Sequence, residues 1–224
     1  MSLQDVEANK ALANYITENF FECRARELLG SRPPALAARS GQQDEYHSYE
    51  HLADATAQSL DFHGIDGRYK TYDDNGTPIW QNVALRTHRQ RDDFCWDTFT
   101  LRWRKDGDTY RQQLRKLLAN QKIGTVPHWT VEVYYKISDL RSDYYELVSI
   151  AAVWTEHLLA AISEAGDLDR LPGDCPDGTR GVFKQVTGPN SEMICVRWSH
   201  LQQRGATIRI YRPSGSSGPV IRIP

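Results

Sequence analysis

The chain has 224 residues, 40% of them hydrophobic and 25% charged, with a net charge of −2. Such a composition suits a soluble globular protein with one large domain, or a core with a decorated C-terminal part, and it excludes a global basic field as the basis of function. No apolar run approaches the roughly 18 residues needed to cross a bilayer, and no basic-then-apolar leader opens the chain, so no membrane partner and a cytoplasmic location are expected.

Residues 4–29 read as a first helix. Ala13, Ile16, Phe20 and Cys23 recur at three- and four-residue spacing on one face, Val6 lies two turns earlier, and Gly30 supplies a stop. Arg32-Pro33-Pro34 and Ser40-Gly41 mark residues 31–43 as a loop, and Asp44 is a suitable N-cap for a second helix reaching Leu60. Residues 65–72 and 79–87 alternate as strands about the turn Asp73-Asp74-Asn75-Gly76. Residues 98–104 set Phe99, Leu101 and Trp103 between polar neighbours, and a third helix over 109–120 buries Leu114, Leu117 and Leu118. Strands follow at 129–137 and 146–154, the second apolar enough to be central. A short helix capped by Thr155 stops at Gly166, 167–181 is irregular, and the tail offers short strands at 182–186, 193–198, 207–211 and 220–223.

The expected fold is therefore α/β or α+β: a mixed central sheet with flanking helices and an added strand-rich C-terminal section. The expected units are an N-terminal helix (1–30), an α/β core (44–165) and the strand-rich extension (167–224), packed on the core. From Asp44 to Ile137 the element order is α-β-β-β-α-β. Cys23, Cys95, Cys175 and Cys195 are scattered without a Cys-x-x-Cys pair, and read as free thiols, several of them buried.

Metal-dependent phosphodiester cleavage needs carboxylates converging on a divalent ion and a cation or base near the attacking water. An aspartate on one strand, an acid two residues before a basic residue on the next, and an acid on the preceding helix meet that need, because alternate strand residues share a face. Gly64-Ile65-Asp66, followed by Val83-Ala84-Leu85-Arg86 within the α-β-β-β-α-β order, resembles the PD-(D/E)XK nuclease superfamily, especially its divergent phage- and plasmid-type members. The resemblance spans about residues 44–160. It implies catalytic roles for Asp66, Arg86 and Glu50, with Asp66 and Glu50 holding magnesium. Where that family carries Asp or Glu, this chain has Ala84, and Arg86 replaces the usual lysine, which a guanidinium does not match as a base. The resemblance thus implies either a magnesium-dependent DNA nuclease or a catalytically degenerate relative that binds nucleic acid.

Two further patterns bear on chemistry. His47-Ser48-Tyr49-Glu50-His51 is an H-x-x-E-H sequence; on a helix, His47 and His51 would share a face and could hold zinc, with Glu50 as general base and Asp54, Glu132 or Glu156 as third ligand. Between Trp80 and Lys122, ten basic residues face five acidic ones, and Arg86, His88, Arg89 and Arg91 cluster where a strand ends. Those four are the candidate nucleic-acid contacts, with DNA the expected partner. The alternatives to the nuclease-like reading are a zinc-dependent hydrolase and a non-catalytic interaction protein.

Overall fold

A computed structural model describes residues 12–13, 15–30, 45–48, 65–73, 75–90, 97–105, 113–137, 144–174, 178–188, 191–214 and 220–222. Ten strands form two sheets among these residues. The strands are β1 (Glu45–Ser48), β2 (Gly67–Tyr72), β3 (Pro78–Arg89), β4 (Thr98–Lys105), β5 (Trp129–Ile137), β6 (Tyr144–Trp154), β7 (Val182–Gly188), β8 (Ser191–Arg197), β9 (Ile208–Tyr211) and β10 (Val220–Arg222). The α-helices are α1 (Ala25–Leu29), α2 (Gln113–Gln121), α3 (Thr155–Glu164) and α4 (Trp198–Gln203).

The larger sheet has seven strands in the order β1-β2-β3-β5-β6, with β9 and β10 pairing along the far side of β6. All neighbours are antiparallel except β3 and β5, which run parallel over Val83–Arg89 and Trp129–Tyr135. A parallel pair needs a crossover. Here it contains β4 and α2, and β4 leaves for the second sheet, ordered β4-β8-β7. The mixed α/β architecture with a strand-rich C-terminal section is as the sequence implies.

Both faces of the large sheet are covered. On one face Val83, Val131, Val133, Ile150 and Ala152 pack with Ile16, Phe20, Phe21, Ala25, Leu28 and Leu29 of the N-terminal helical segment. On the other, Tyr134, Ala151 and Val153 meet Phe99, Leu101, Ile194 and Val196 of the small sheet and the apolar sides of α2, α3 and α4. Arg209 of β9 donates to the carbonyl of Leu28 at 3.1 Å, tying the end of the first helical segment to the sheet edge.

Several expectations need correction. The first helical segment is not a uniform α-helix: a π turn (Thr17–Phe21) and a 3-10 turn (Glu22–Arg24) precede α1. The wider π turn advances the register, so Phe21 joins the core and Cys23 is exposed. Residues Glu45–Ser48 begin no helix; they pair antiparallel with Gly67–Lys70, their backbone groups satisfied by the sheet edge. The remainder of the second expected helix lies outside the described residues. Thr155 is the first residue of α3 rather than its cap, with its buried hydroxyl 3.0 Å from that of Thr130. Trp198, read as the end of a strand, starts α4.

Candidate functional site

Strand alternation decides which expected site residues meet. On β3, Val83 faces the helical segment, so Ala84, Arg86 and His88 point to the opposite face. The parallel register sets Ala84 beside Thr130, Arg86 beside Glu132 and His88 beside Tyr134. Asp66 immediately precedes β2, with its N–H bonded to the carbonyl of Val83 at 2.8 Å. Asp66 and Arg86 therefore come together.

Their chemistry is a closed pair. Asp66 Oδ2 accepts from the N–H of Leu85 and from Arg86 Nη1, each at 2.7 Å. Arg86 Nη1 also donates to the carbonyl of Leu85 at 2.6 Å. Ala84, two residues before Arg86 on the same face of β3, is buried and brings no ligand. A hard divalent cation placed here would meet, among the described residues, one carboxylate already holding two donors, with a guanidinium against it, so Asp66 and Arg86 by themselves do not fit magnesium. Among the described residues, no three His, Cys, Asp or Glu side chains converge as a metal site would require.

Glu50, His51 and Arg91 lie outside the described residues. His47 is on β1, so the helix-face spacing proposed for a zinc pair does not apply to it. Arg89 is exposed and on the opposite face from Arg86 and His88, where its charge acts on the phenol of Tyr135. The expected four-residue phosphate cluster is thus divided between two faces.

His88 leads into a buried polar seam between the sheets. Its ring stacks on Tyr134 at a centroid distance of 5.2 Å, and its Nε2 is 3.6 Å from Glu132 Oε2. Glu132 is fully buried, accepting from the N–H of Thr100 at 2.6 Å and the hydroxyl of Tyr134 at 2.8 Å. The carbonyl of Thr98 lies 2.7 Å from the same hydroxyl. Burial, then the nearby Glu132 carboxylate, hold the Tyr134 phenol well above the ordinary tyrosine value. Cys195 closes the seam behind Thr100, its thiol pushed up to about 12 chiefly by burial, which leaves it protonated and unreactive. Sequence reasoning named Glu132 only as a third zinc ligand, a role this environment does not suit.

Beyond the expected Asp73 to Gly76 turn, two features were not anticipated: a cation–aromatic strip along the β2–β3 hairpin and a cavity. The β2–β3 hairpin turns at Asn75-Gly76, with Asp73 Oδ1 accepting from the N–H groups of Asn75 and Thr77 at 2.9 and 2.8 Å. Along it the guanidinium of Arg68 lies 4.1 Å from the ring centre of Trp80, and the Lys70 ammonium lies 5.6 Å from the same ring. Trp80 remains 40% exposed. These side chains share the face of Asp66 and Arg86. The second feature is a cavity of about 400 Å³ at the end of the sheet, where Asn82, the register partner of Arg68, lines one wall. Comparison with protein-family models, curated proteins and solved structures gives no match to this chain.

Proposed function

We propose that this chain is a nucleic-acid-binding module built on a nuclease-like sheet, in which the strand aspartate holds an arginine in place of a metal. The observation that carries the reading is the exposed cation–aromatic strip of the β2–β3 hairpin, where Arg68 and Lys70 flank Trp80 beside the Asp66–Arg86 pair. Cations spaced along a strand suit a phosphate backbone, and an exposed indole offers a surface on which an unpaired base stacks. The central basic block of the sequence supports the same reading. The buried Ala84 and the closed Asp66–Arg86 pair favour binding over cleavage.

Fluorescence anisotropy with labelled single-stranded and duplex DNA, repeated across salt concentrations, tests this. The expected result is tighter binding to the single strand. Two phosphate contacts correspond to a salt slope of about −1.4 on a single strand. R68E/K70E should weaken binding by about tenfold or more, and W80A should remove the preference for the single strand. Salt-independent binding, or an R68E/K70E variant that binds like the parent, overturns the proposal. Magnesium-dependent cutting that is lost in D66N would overturn the binding-only form of it.

A further inference from the structure

The cavity at the end of the large sheet has a lining that points to a ligand class. Its walls include Ile65 and Val126 on the apolar side, Trp154 as an aromatic wall, and Asn82, His128 and Glu156 as polar groups. Its volume, about 400 Å³, falls in the lower part of the range of about 300–1,000 Å³ typical of small-molecule sites. The His128 ring is held by the Asn82 backbone. His128 Nδ1 accepts the N–H of Asn82 at 2.9 Å, and the N–H of His128 returns to the carbonyl of Asn82, also at 2.9 Å. An imidazole that accepts at Nδ1 carries its proton on Nε2, so His128 presents a donor. Its ring also meets Trp154 edge-on at 5.6 Å, and Trp154 meets Trp129 edge-on at 5.1 Å, which holds the aromatic wall in place. Glu156, in the first turn of α3, supplies an acceptor-only carboxylate.

A donor at His128, an amide at Asn82 that both donates and accepts, and a carboxylate at Glu156 complement a flat ring carrying ring acceptors and an N–H donor. The carboxylate disfavours anionic ligands, and an aromatic wall suits a planar one. Burial holds His128 below the ordinary histidine value, against the opposing pull of Glu156, which keeps the ring neutral and donating. The cavity also adjoins the cationic strip, since Asn82 and Arg68 are partners across β2 and β3.

We infer that this cavity is a recognition pocket for an amino-bearing nucleobase, with Glu156 accepting from the base N–H group and His128 and Asn82 contacting its ring acceptors. The inference rests on the nucleic-acid reading for its biological source, since the base could arrive unpaired on a strand or as a free nucleoside. Thymidine and uridine lack the exocyclic amino group and offer the carboxylate only an N3–H flanked by two carbonyl oxygens whose lone pairs repel it, so they should bind more weakly.

The test titrates cytidine, guanosine, adenosine, thymidine and uridine into the full chain, following the His128 imidazole by NMR and heat by calorimetry. One or more amino-bearing nucleosides should shift the His128 signals and bind at least about tenfold tighter than thymidine and uridine, the discrimination given by one well-placed polar contact. Glu156→Gln should erase that ratio, and Gln121→Trp, at an exposed position on the cavity wall, should block binding of every nucleoside. An unchanged His128 signal with all five nucleosides overturns the inference, as does a base preference that survives in Glu156→Gln. A parallel titration with a single-stranded oligonucleotide separates the two readings. Salt-dependent strand binding without a nucleoside response refutes the pocket alone. A nucleoside response sensitive to Glu156→Gln, without strand binding, refutes the strip and leaves the pocket as a site for free nucleosides.

Discussion

Replacing Glu132 by alanine and by glutamine tests what joins the two sheets. Glu132 projects from the large sheet and accepts the backbone N–H of Thr100 in the small one at 2.6 Å, with no solvent exposure. Alanine leaves that buried donor without its acceptor, at a cost of about 1–3 kcal/mol. The Tyr134 hydroxyl loses less, because the carbonyl of Thr98 stands 2.7 Å away as an alternative acceptor. The void left by the side chain adds about 1 kcal/mol, for a total near 3 kcal/mol. Glutamine keeps the shape. Its carbonyl oxygen accepts from Thr100, and its amide donates to the Tyr134 oxygen while the phenol proton turns to Thr98, so the loss should be about 1 kcal/mol or less. In a domain of this size each kcal/mol moves Tm by about 2–4 °C, which puts Glu132→Ala about 6–12 °C below the parent and Glu132→Gln within about 4 °C. Urea and thermal unfolding followed by circular dichroism measure both. Equal losses in the two variants, or an alanine variant within about 1 kcal/mol of the parent, would show that the seam does not depend on a buried acceptor.

Three further outcomes follow from the same geometry. Burial holds His128 and His200 below the ordinary histidine value, so the unfolded chain takes up protons that the folded chain declines. Stability should therefore be highest above a pH of about 6.5 and fall as the pH drops toward the lowered folded values; a His128→Gln variant whose urea midpoint keeps the parent's full slope between pH 7 and 5 would contradict this. A Cβ at Gly181 would lie 2.2 Å from His200 Cγ, so Gly181→Ala should cost about 1–3 kcal/mol, and a double-mutant cycle with His200→Ala should recover most of it; additive losses would rule out the clash as the cause. Maleimide labelling of the native protein with peptide mapping should modify the exposed Cys23 and spare Cys195 until the chain is unfolded, and native labelling of Cys195 would count against a closed seam.

Where local pattern fixes structure, the sequence was readable. Residues 129–137 alternate and are rich in β-branched and aromatic side chains, and β5 occupies that span. The Asp73 to Gly76 turn is where chemistry says it should be, with Gly76 at φ 81°. Partnership between strands was not readable. Residues 98–105 alternate much as β2 and β3 do, yet β4 crosses to the second sheet, because alternation sets which residues face apart and not which strand lies alongside. Asp66 and Arg86 were found because residues near a hairpin meet through local register. Glu132 was not assigned its place because its strand is covered on both faces. In Val131-Glu132-Val133 an acid between two valines reads as an outward position, and only the packing of β4 above it makes that position the most buried carboxylate of the described residues. The cavity joins residues from β3, the approach to β5, the end of β6 and the start of α3, a convergence that no spacing along the chain announces.

The Asp66–Arg86 pair and Ala84 make sense together as a matter of charge. Magnesium is held by one or two carboxylates with water or phosphate oxygens filling its other positions, and Ala84 removes the acid expected beside Asp66. One guanidinium balances one carboxylate, and the 2.7 Å contact, with the N–H of Leu85 on the same oxygen, satisfies Asp66 without any metal. Alanine on β3 and arginine two residues later are therefore consistent as a unit, whereas either alone would leave charge unmatched on a half-buried sheet face. The strip of Arg68, Lys70 and Trp80 lies on the same sheet face along the hairpin, with both cations set against the partly exposed indole. On the proposed reading the same sheet thus keeps the positive surface that a nuclease uses to hold its substrate, while the position that would cut it is neutralised from within.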